Sequence, residues 1–360
     1  MFNFSKTISF PFKYQIPNYV DKHIQEVSKL QRIIKYFKRN LFLYIKSQKN
    51  LEIFSILPNH QNILWINISA PSLGDSLMDL SSRVMLDNKN VDLFTSNKNA
   101  HIYVNDEIFK NVFTSKNELI NNSYDLVILD SYSTRSVNIK VKVAPSNSFV
   151  GMYGFFNGPE VNRILYSYHQ LNNLLGYVKS ESEINNIAKN ILSISDSDKR
   201  IVADIVPKEY LAISIGGEWK YKIYEKWGDL IQKIIKNNEK INIVLIGSKN
   251  AQNQSQELIN RFNNYQFINL VSTLTFNQTA EVIKRSKVLI CCDGGLMHAA
   301  NAVNANIIAL IARLRPEMLF VNDNQIALFD KNDVNNIEVE TVFKSYSEIS
   351  NLFDNHLQGE

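Results

Sequence analysis

The chain has 360 residues, 45% hydrophobic and 21% charged, with only 8 prolines and 12 glycines. That length implies about two domains with packed cores, and the composition excludes fibrous or broadly disordered chains. The net charge of +4 is uneven: residues 1–50 hold ten Lys/Arg against two Asp/Glu, a net +8 that leaves residues 51–360 at net −4, so basic character is confined to the N-terminal arm and the acidic body argues against nucleic-acid binding.

The first residues, MFNFSKTISFPFKY, lack the charged-then-apolar layout of a signal peptide, and no run approaches the roughly 18 apolar residues of a membrane span. Cys291 and Cys292 are adjacent, so on a strand they point to opposite faces and make poor disulfide partners; two are too few for a zinc site. A reduced, cytoplasmic protein is expected.

Asp21 to Lys46 reads as one helix. Val27, Leu30, Ile34, Phe37, Leu41 and Tyr44 follow 3-4 spacing and form an apolar stripe, with Arg32, Lys35, Arg39 and Lys46 on the opposite side. Two readings stand. The helix packs on its own domain and leaves a solvated basic face, or it lies on an anionic membrane surface.

From Asn62 the pattern changes. Ile63–Ile68 is a buried-strand run, followed by a loop through Leu73-Gly74-Asp75 and a helical pattern over Leu77, Leu80 and Val84. Strand, loop, helix is the opening unit of a doubly wound sheet. Val91–Thr95, Leu126–Asp130 and Phe149–Met152 read as further strands, Asn105–Phe113 as a short helix, and Glu160–Tyr177 as a longer one. The polar, serine-rich stretch 178–206 reads as a linker with a short helix near Ile184–Leu192.

The second half repeats the rhythm. Strands are expected at Tyr210–Ile215, Ile243–Ile246, Phe267–Val271, Lys287–Cys292 and Ile307–Ile311. Helices fall between them, and another over Val342–Phe353. Regular alternation means a parallel sheet with helices on both faces, and ligands then sit beyond the carboxyl ends of the strands. Gly216-Gly217, Gly247-Ser248 and Asp293-Gly294-Gly295 should gather there. In the last turn the glycines open the backbone to a ligand, and the helix from Leu296 offers unpaired N–H groups to a phosphate.

Asp293-Gly294-Gly295-Leu296-Met297-His298-Ala299-Ala300 resembles the Asp-(Ser/Thr)-Gly-x-x-His-x-Ala turn of the heptosyltransferase-like family, glycosyltransferase family 9. Leu73-Gly74-Asp75 is similar to that family's Leu/Met-Gly-Asp turn after the first strand. Lys220 to Trp227 resembles its Lys-x-Trp-Pro-x-x-x-Trp region. The resemblance covers about residues 61–320.

It implies a GT-B fold: two Rossmann-like domains facing a cleft, here residues 61–177 for the acceptor and 207–330 for the nucleotide sugar. They are flanked by a basic extension (1–60), a linker (178–206) and a helical tail (331–360). It also implies an inverting, metal-independent glycosyltransferase. The donor would be a nucleotide sugar, ADP-heptose foremost, and the acceptor a lipid-linked glycan such as a lipopolysaccharide core. No other cofactor is implied.

The resemblance implies that Asp75 is the general base, and the alternative is an N-cap on the following helix. Lys220 falls on the phosphate-binding lysine, with Lys222 two residues away as a substitute. Gly216, Gly217, Gly247, Ser248, Asp293, Gly294, Gly295, Leu296 and His298 complete the donor site. The turn departs from the family in carrying Gly294 for Ser/Thr, and Lys249–Gln254 holds no carboxylate for a ribose hydroxyl. Rival readings are a non-catalytic scaffold of this fold and a nucleotide-sugar epimerase. A nicotinamide enzyme is disfavoured, because no G-x-G-x-x-G follows the first strand.

Overall fold

The computed structural model describes residues 29–119, 122–155, 161–238, 240–321 and 324–357. The chain forms two compact units: Met1–Asn190 with Glu317–Val321, and Ile191–Pro316 with Asn322–Glu360.

Unit 1 is built on five parallel strands: β1 (Asn62–Asn67), β2 (Asn90–Thr95), β3 (Phe109–Phe113), β4 (Leu126–Leu129) and β5 (Phe149–Gly151), in the order β3-β2-β1-β4-β5. β1 and β4 are central and almost wholly buried. Their near-continuous apolar sequence is what a strand covered on both faces requires. Asn105–Phe113 is not a helix. Its second half is edge strand β3, whose pairing with β2 shifts register at Val91/Asp92. The irregularity breaks period-2 alternation, so Phe109, Val112 and Phe113 mimic helical spacing.

The helices that matter to the site are α1 (Lys29–Ile45), α2 (Leu73–Asp79), α3 (Thr134–Val143) and α4 (Arg163–Leu174). Residues 21–28 of the expected N-terminal helix lie outside the described residues. α1 is mounted with Leu43 in the core and Tyr36 and Phe42 half-buried against it. Tyr36 meets Phe155 at 4.7 Å, and Arg39 Nη1 donates to the Gly154 carbonyl at 2.9 Å. The expected apolar stripe points the other way: Leu30, Ile34, Phe37, Leu41 and Tyr44 are all exposed. The inward face is the narrower row at 36, 39 and 43.

α4 is buried nearly all round, and its N-cap Asn162 also donates to the Glu317 and Phe320 carbonyls. That bond explains why Glu317–Val321 belongs to unit 1. The stretch 178–206 holds two short helices, α5 (Glu181–Ile187) in unit 1 and α6 (Asp196–Ile205) in unit 2, with the division after Asn190.

Unit 2 has six parallel strands: β6 (Leu211–Ser214), β7 (Ile243–Ile246), β8 (Ile268–Asn269), β9 (Val288–Cys292), β10 (Ile307–Ala312) and β11 (Gln325–Asp330). Their order is β11-β10-β9-β6-β7-β8. Helices α7 (Trp227–Asn237), α8 (Gln252–Arg261), α9 (Phe276–Arg285), α10 (Gly295–Ala302) and α11 (Val339–Leu357) complete it. Trp227, Leu230, Ile231 and Ile234 of α7 share one core with Val334, Ile337, Val342 and Tyr346, so the segment from Val334 to Tyr346 contributes to the body of unit 2. Cys291 and Cys292 are free and buried in β9. No described helix is long and apolar enough to cross a membrane.

In both sheets the strand order reverses once, beside β1 in unit 1 and beside β6 in unit 2. Ligands of open α/β sheets bind at that switch.

One buried ion pair braces the segment after α2. Arg83 donates to Asp106 Oδ2 from Nε (2.9 Å) and Nη2 (2.5 Å) and to the Leu80 carbonyl from Nη1 (3.1 Å). Both side chains are almost without exposure. Arg83→Met would strand the Asp106 charge, and we expect a loss of about 3 kcal/mol in chemical denaturation.

Candidate functional site

The switch in unit 2 lies where β6 has β7 on one side and β9 on the other. β6 runs into Ile215-Gly216-Gly217. Gly216 has φ +83, and a Cβ there would also meet the Ala251 Cβ at 2.8 Å, so only glycine serves. Asn250 Nδ2 donates to the Gly217 carbonyl at 2.8 Å, and Ser248 Oγ donates to Asn250 Oδ1 at 2.7 Å. The Gly216-Gly217 and Gly247-Ser248 turns are thereby stitched together.

On the other side β9 delivers Asp293 and the start of α10. Gly294 is extended (φ 177), and a Cβ on it would find nothing nearer than the Cys292 carbonyl oxygen at 4.0 Å. Neither backbone strain nor protein packing demands glycine here. Gly294 and Gly295 are exposed, while α10 is buried from Met297 onward. The turn therefore offers open backbone N–H groups at a helix N-terminus. Leu296 is half-buried in its first turn. His298, buried, has Nε2 3.9 Å from Asp293 Oδ1.

The cation at this turn is Lys222. Its Nζ lies 2.5 Å from Asp293 Oδ2, and it is half-buried. Lys220, the expected phosphate lysine, is exposed. Lys220–Lys222 is a turn of 3-10 helix. At about 120° per residue, positions two apart project in different directions, so only one of the two lysines reaches the turn. Sequence reasoning also missed Arg313 just past β10. Arg313 has φ +69, uncommon for a non-glycine residue, and its guanidinium sits 3.7 Å from the Tyr221 ring centroid. Lys222 lies 5.8 Å from the same ring.

The switch in unit 1 holds a cavity of about 380 Å³. Ser69 beyond β1 and Asp130 and Ser131 beyond β4 form its floor; Ser133, Thr134 and Arg135 come from the start of α3, and Lys35 and Arg39 from α1. Asp130 organises it. Oδ2 accepts from the Ile68 and Ser69 N–H groups (2.8 and 2.6 Å), and Oδ1 accepts from the Ser131 N–H (2.5 Å) and the Ser136 hydroxyl (2.6 Å). Burial pushes its carboxyl up, opposed by these donors. Ser69, Ser133 and Ser136 hydroxyls lie within 2.9 Å of one another. Four cationic side chains (Lys35, Arg39, Arg135, Arg163) face two carboxylates (Asp79, Asp130) on the lining, so it favours an anion.

Asp75 stands beside this cavity. It is not the N-cap. Ser72 is, and Asp75 answers it from the third helical position: the Ser72 hydroxyl donates to Asp75 Oδ2 at 2.6 Å, and the Asp75 N–H donates to Ser72 Oγ at 3.2 Å. One turn on, Asp79 is buried. Arg163, from α4, joins them, donating to Asp79 Oδ1 and Oδ2 at 2.6 and 2.5 Å and to Asp75 Oδ1 at 3.3 Å. Asp75 keeps part of its carboxylate exposed (22%) and Asp79 almost none (3%). The i, i+4 spacing of the two aspartates was visible in the sequence. Arg163, 88 positions away from Asp75, carried no local signal.

The family model described as Glycosyltransferase family 9 (heptosyltransferase) matches residues 113–346. Among solved structures, the chain is similar to the glycosyl transferase family 9 protein from Veillonella parvula DSM 2008, with a TM-score of 0.69 at 13% identity, covering 82% of this chain and 99% of that one. E. coli ADP-heptose lps heptosyltransferase II aligns with a TM-score of 0.60 at 15% identity, over 80% and 98%. E. coli heptosyltransferase WaaC with ADP aligns with a TM-score of 0.58 at 17% identity, over 80% and 98%. No curated protein matches.

Burial pushes the Asp79 carboxyl up to about 6, and Arg163 opposes the rise. A carboxyl raised on folding favours the native state at low pH and loses that contribution as pH climbs through its folded value. Arg163→Gln removes the opposing cation, so Asp79 rises further. We expect a deficit of about 3 kcal/mol at neutral pH. Thermal unfolding should show the deficit widening as pH rises above about 6.

Proposed function

The chain belongs to glycosyltransferase family 9 and is a glycosyltransferase with two Rossmann-like units of the GT-B type. From that premise we propose that it transfers a heptose from ADP-heptose to a lipid-linked glycan such as a lipopolysaccharide core, at the cytoplasmic face of a membrane, inverting the anomeric carbon without a metal. The observation that carries this reading is the Lys222–Asp293 pair beside the open Gly294–Gly295 turn at the switch of the unit 2 sheet.

The transfer asks for two things. The acceptor hydroxyl must lose a proton as its oxygen bonds to the anomeric carbon, and the diphosphate must gain charge as its bond to that carbon breaks. In our reading unit 1 supplies the base, Asp75, whose carboxylate Ser72 and Arg163 hold in one orientation. The anion-favouring cavity beside it takes a charged group of the acceptor. Unit 2 supplies the leaving-group site: the N–H groups of Gly295 and Leu296 and the Lys222 ammonium stabilise the departing diphosphate without reorganising. Gly216, Gly217, Gly247 and Ser248 line the same strand ends, and Asp293 and His298 orient the turn. A lysine already aimed at that turn does the work that a metal does elsewhere. The donor assignment follows two of the similar structures, an ADP-heptose lps heptosyltransferase and a heptosyltransferase with ADP.

Two experiments test this. Asp75→Asn retains size and most hydrogen bonds but cannot take a proton. It should bind donor normally and lose about 10²–10⁴-fold in turnover. Near-wild-type transfer would leave Asp75 only its structural bonds to the Ser72 cap and Arg163. In calorimetric titrations with ADP, Lys222→Met should weaken binding by at least about tenfold and Lys220→Ala should not. Gly294→Ala should fold with wild-type stability, within about 0.5 kcal/mol, and still bind ADP poorly, because its methyl occupies space that only a ligand uses. Unchanged ADP affinity in both Lys222→Met and Gly294→Ala would move the diphosphate elsewhere.

A further inference from the structure

Helix α1 displays six large apolar side chains to solvent: Leu30, Ile34, Phe37, Leu41, Tyr44 and Ile45, each 56–66% exposed. At about 100° per residue they fall within one face roughly 100° wide. Scattered exposed leucines need no explanation, but a continuous stripe along 17 residues of one helix marks an interaction surface. The helix does not need this face for its own unit, because Leu43, Tyr36, Phe42 and the Arg39 bond to Gly154 already dock the other side.

Charge selects the partner. Lys29, Arg32, Lys35, Lys38 and Arg39 lie along the helix and Lys46 just past its end, and residues 27–51 contain no Asp or Glu. Lys38 edges the stripe, the other cations form the polar side away from it, and no carboxylate stands on the helix, which is the layout that an anionic bilayer attracts. We propose that α1 lies in the interface of an anionic membrane with its apolar stripe in the acyl boundary.

The orientation has a purpose. Lys35 and Arg39, on the inward edge of the same helix, line the unit 1 cavity. A helix seated at headgroup level therefore holds that cavity beside the charged layer from which a lipid-linked acceptor rises. The inference deepens the proposed acceptor class and rests on it for this purpose, but the docking itself stands on the helix.

The full chain should be tested by co-sedimentation with vesicles of phosphatidylcholine alone or with about 30 mol% phosphatidylglycerol. The wild type should sediment with the anionic vesicles, less so as salt rises. The double variant Phe37→Ser/Leu41→Ser should keep the wild-type Tm and lose at least tenfold in vesicle affinity. Three outcomes overturn the proposal: a wild type that ignores anionic vesicles, a double variant that binds them equally, or a double variant with a lowered Tm or a dimer-to-monomer change. The last would give the stripe to residues 1–28 or to a second copy. ADP titration of the same samples without lipid separates this from the transferase reading. ADP binding without vesicle binding overturns only the docking, and vesicle binding without ADP binding overturns only the donor assignment.

Discussion

Parallel strands end on one edge of a sheet, and where their order reverses the two flanking connections must leave in opposite directions. That divergence opens a gap which the sheet cannot fill with its own backbone. Each unit of this chain has one such gap, and each closes it with a charge. In unit 1 the Asp130 carboxylate gathers four donors and holds the loop after β1 against the start of α3. In unit 2 the Lys222 ammonium reaches the Asp293 carboxylate across the mouth between β6 and β9. In unit 1 the Ser69 and Ser131 N–H groups and the Ser136 hydroxyl are held from the first of these points.

The parts legible in the sequence were those governed by local pattern. Buried parallel strands such as Ile63–Ile68 and Ile243–Ile246 announce themselves as apolar runs, and glycine turns at their carboxyl ends mark where the backbone is open to close approach. Edge strands fared worse. β3 carries a register shift, and the half-exposed β11 has no strong run, because an edge strand buries less and tolerates more. The mounting of α1 was hidden for a different reason. Periodicity reveals that a helix has an apolar face, but not whether protein or another medium covers it. In α1 the broad stripe faces outward and a narrow aromatic row faces in.

The candidate site divides along the same line. Asp75, Asp293 and the glycine turns sit within short motifs at strand ends, so the sequence located them there, while the roles expected of them came from the family resemblance. Lys222 and Lys220 could not be separated in one dimension, since their difference is the direction of two side chains on one 3-10 turn. Arg163 is a tertiary fact: it comes from α4, joins Asp75 to Asp79, and leaves no trace near either. At only 13–17% identity the chain still shares the fold of these three solved structures.

The two cysteines give unit 2 a chemical reporter of its own. Both lie in β9, hydrogen-bonded on either side by β10 and β6, in the middle of the sheet. Burial pushes the Cys291 thiol well above its ordinary range and Cys292 up to about 12, so neither forms the reactive thiolate while the sheet is intact. Unit 1 contains no cysteine. An electrophile in solution therefore stays silent toward the folded chain and marks it only when the centre of the unit 2 sheet opens. Its rate of labelling counts those openings, whatever the other half of the molecule is doing.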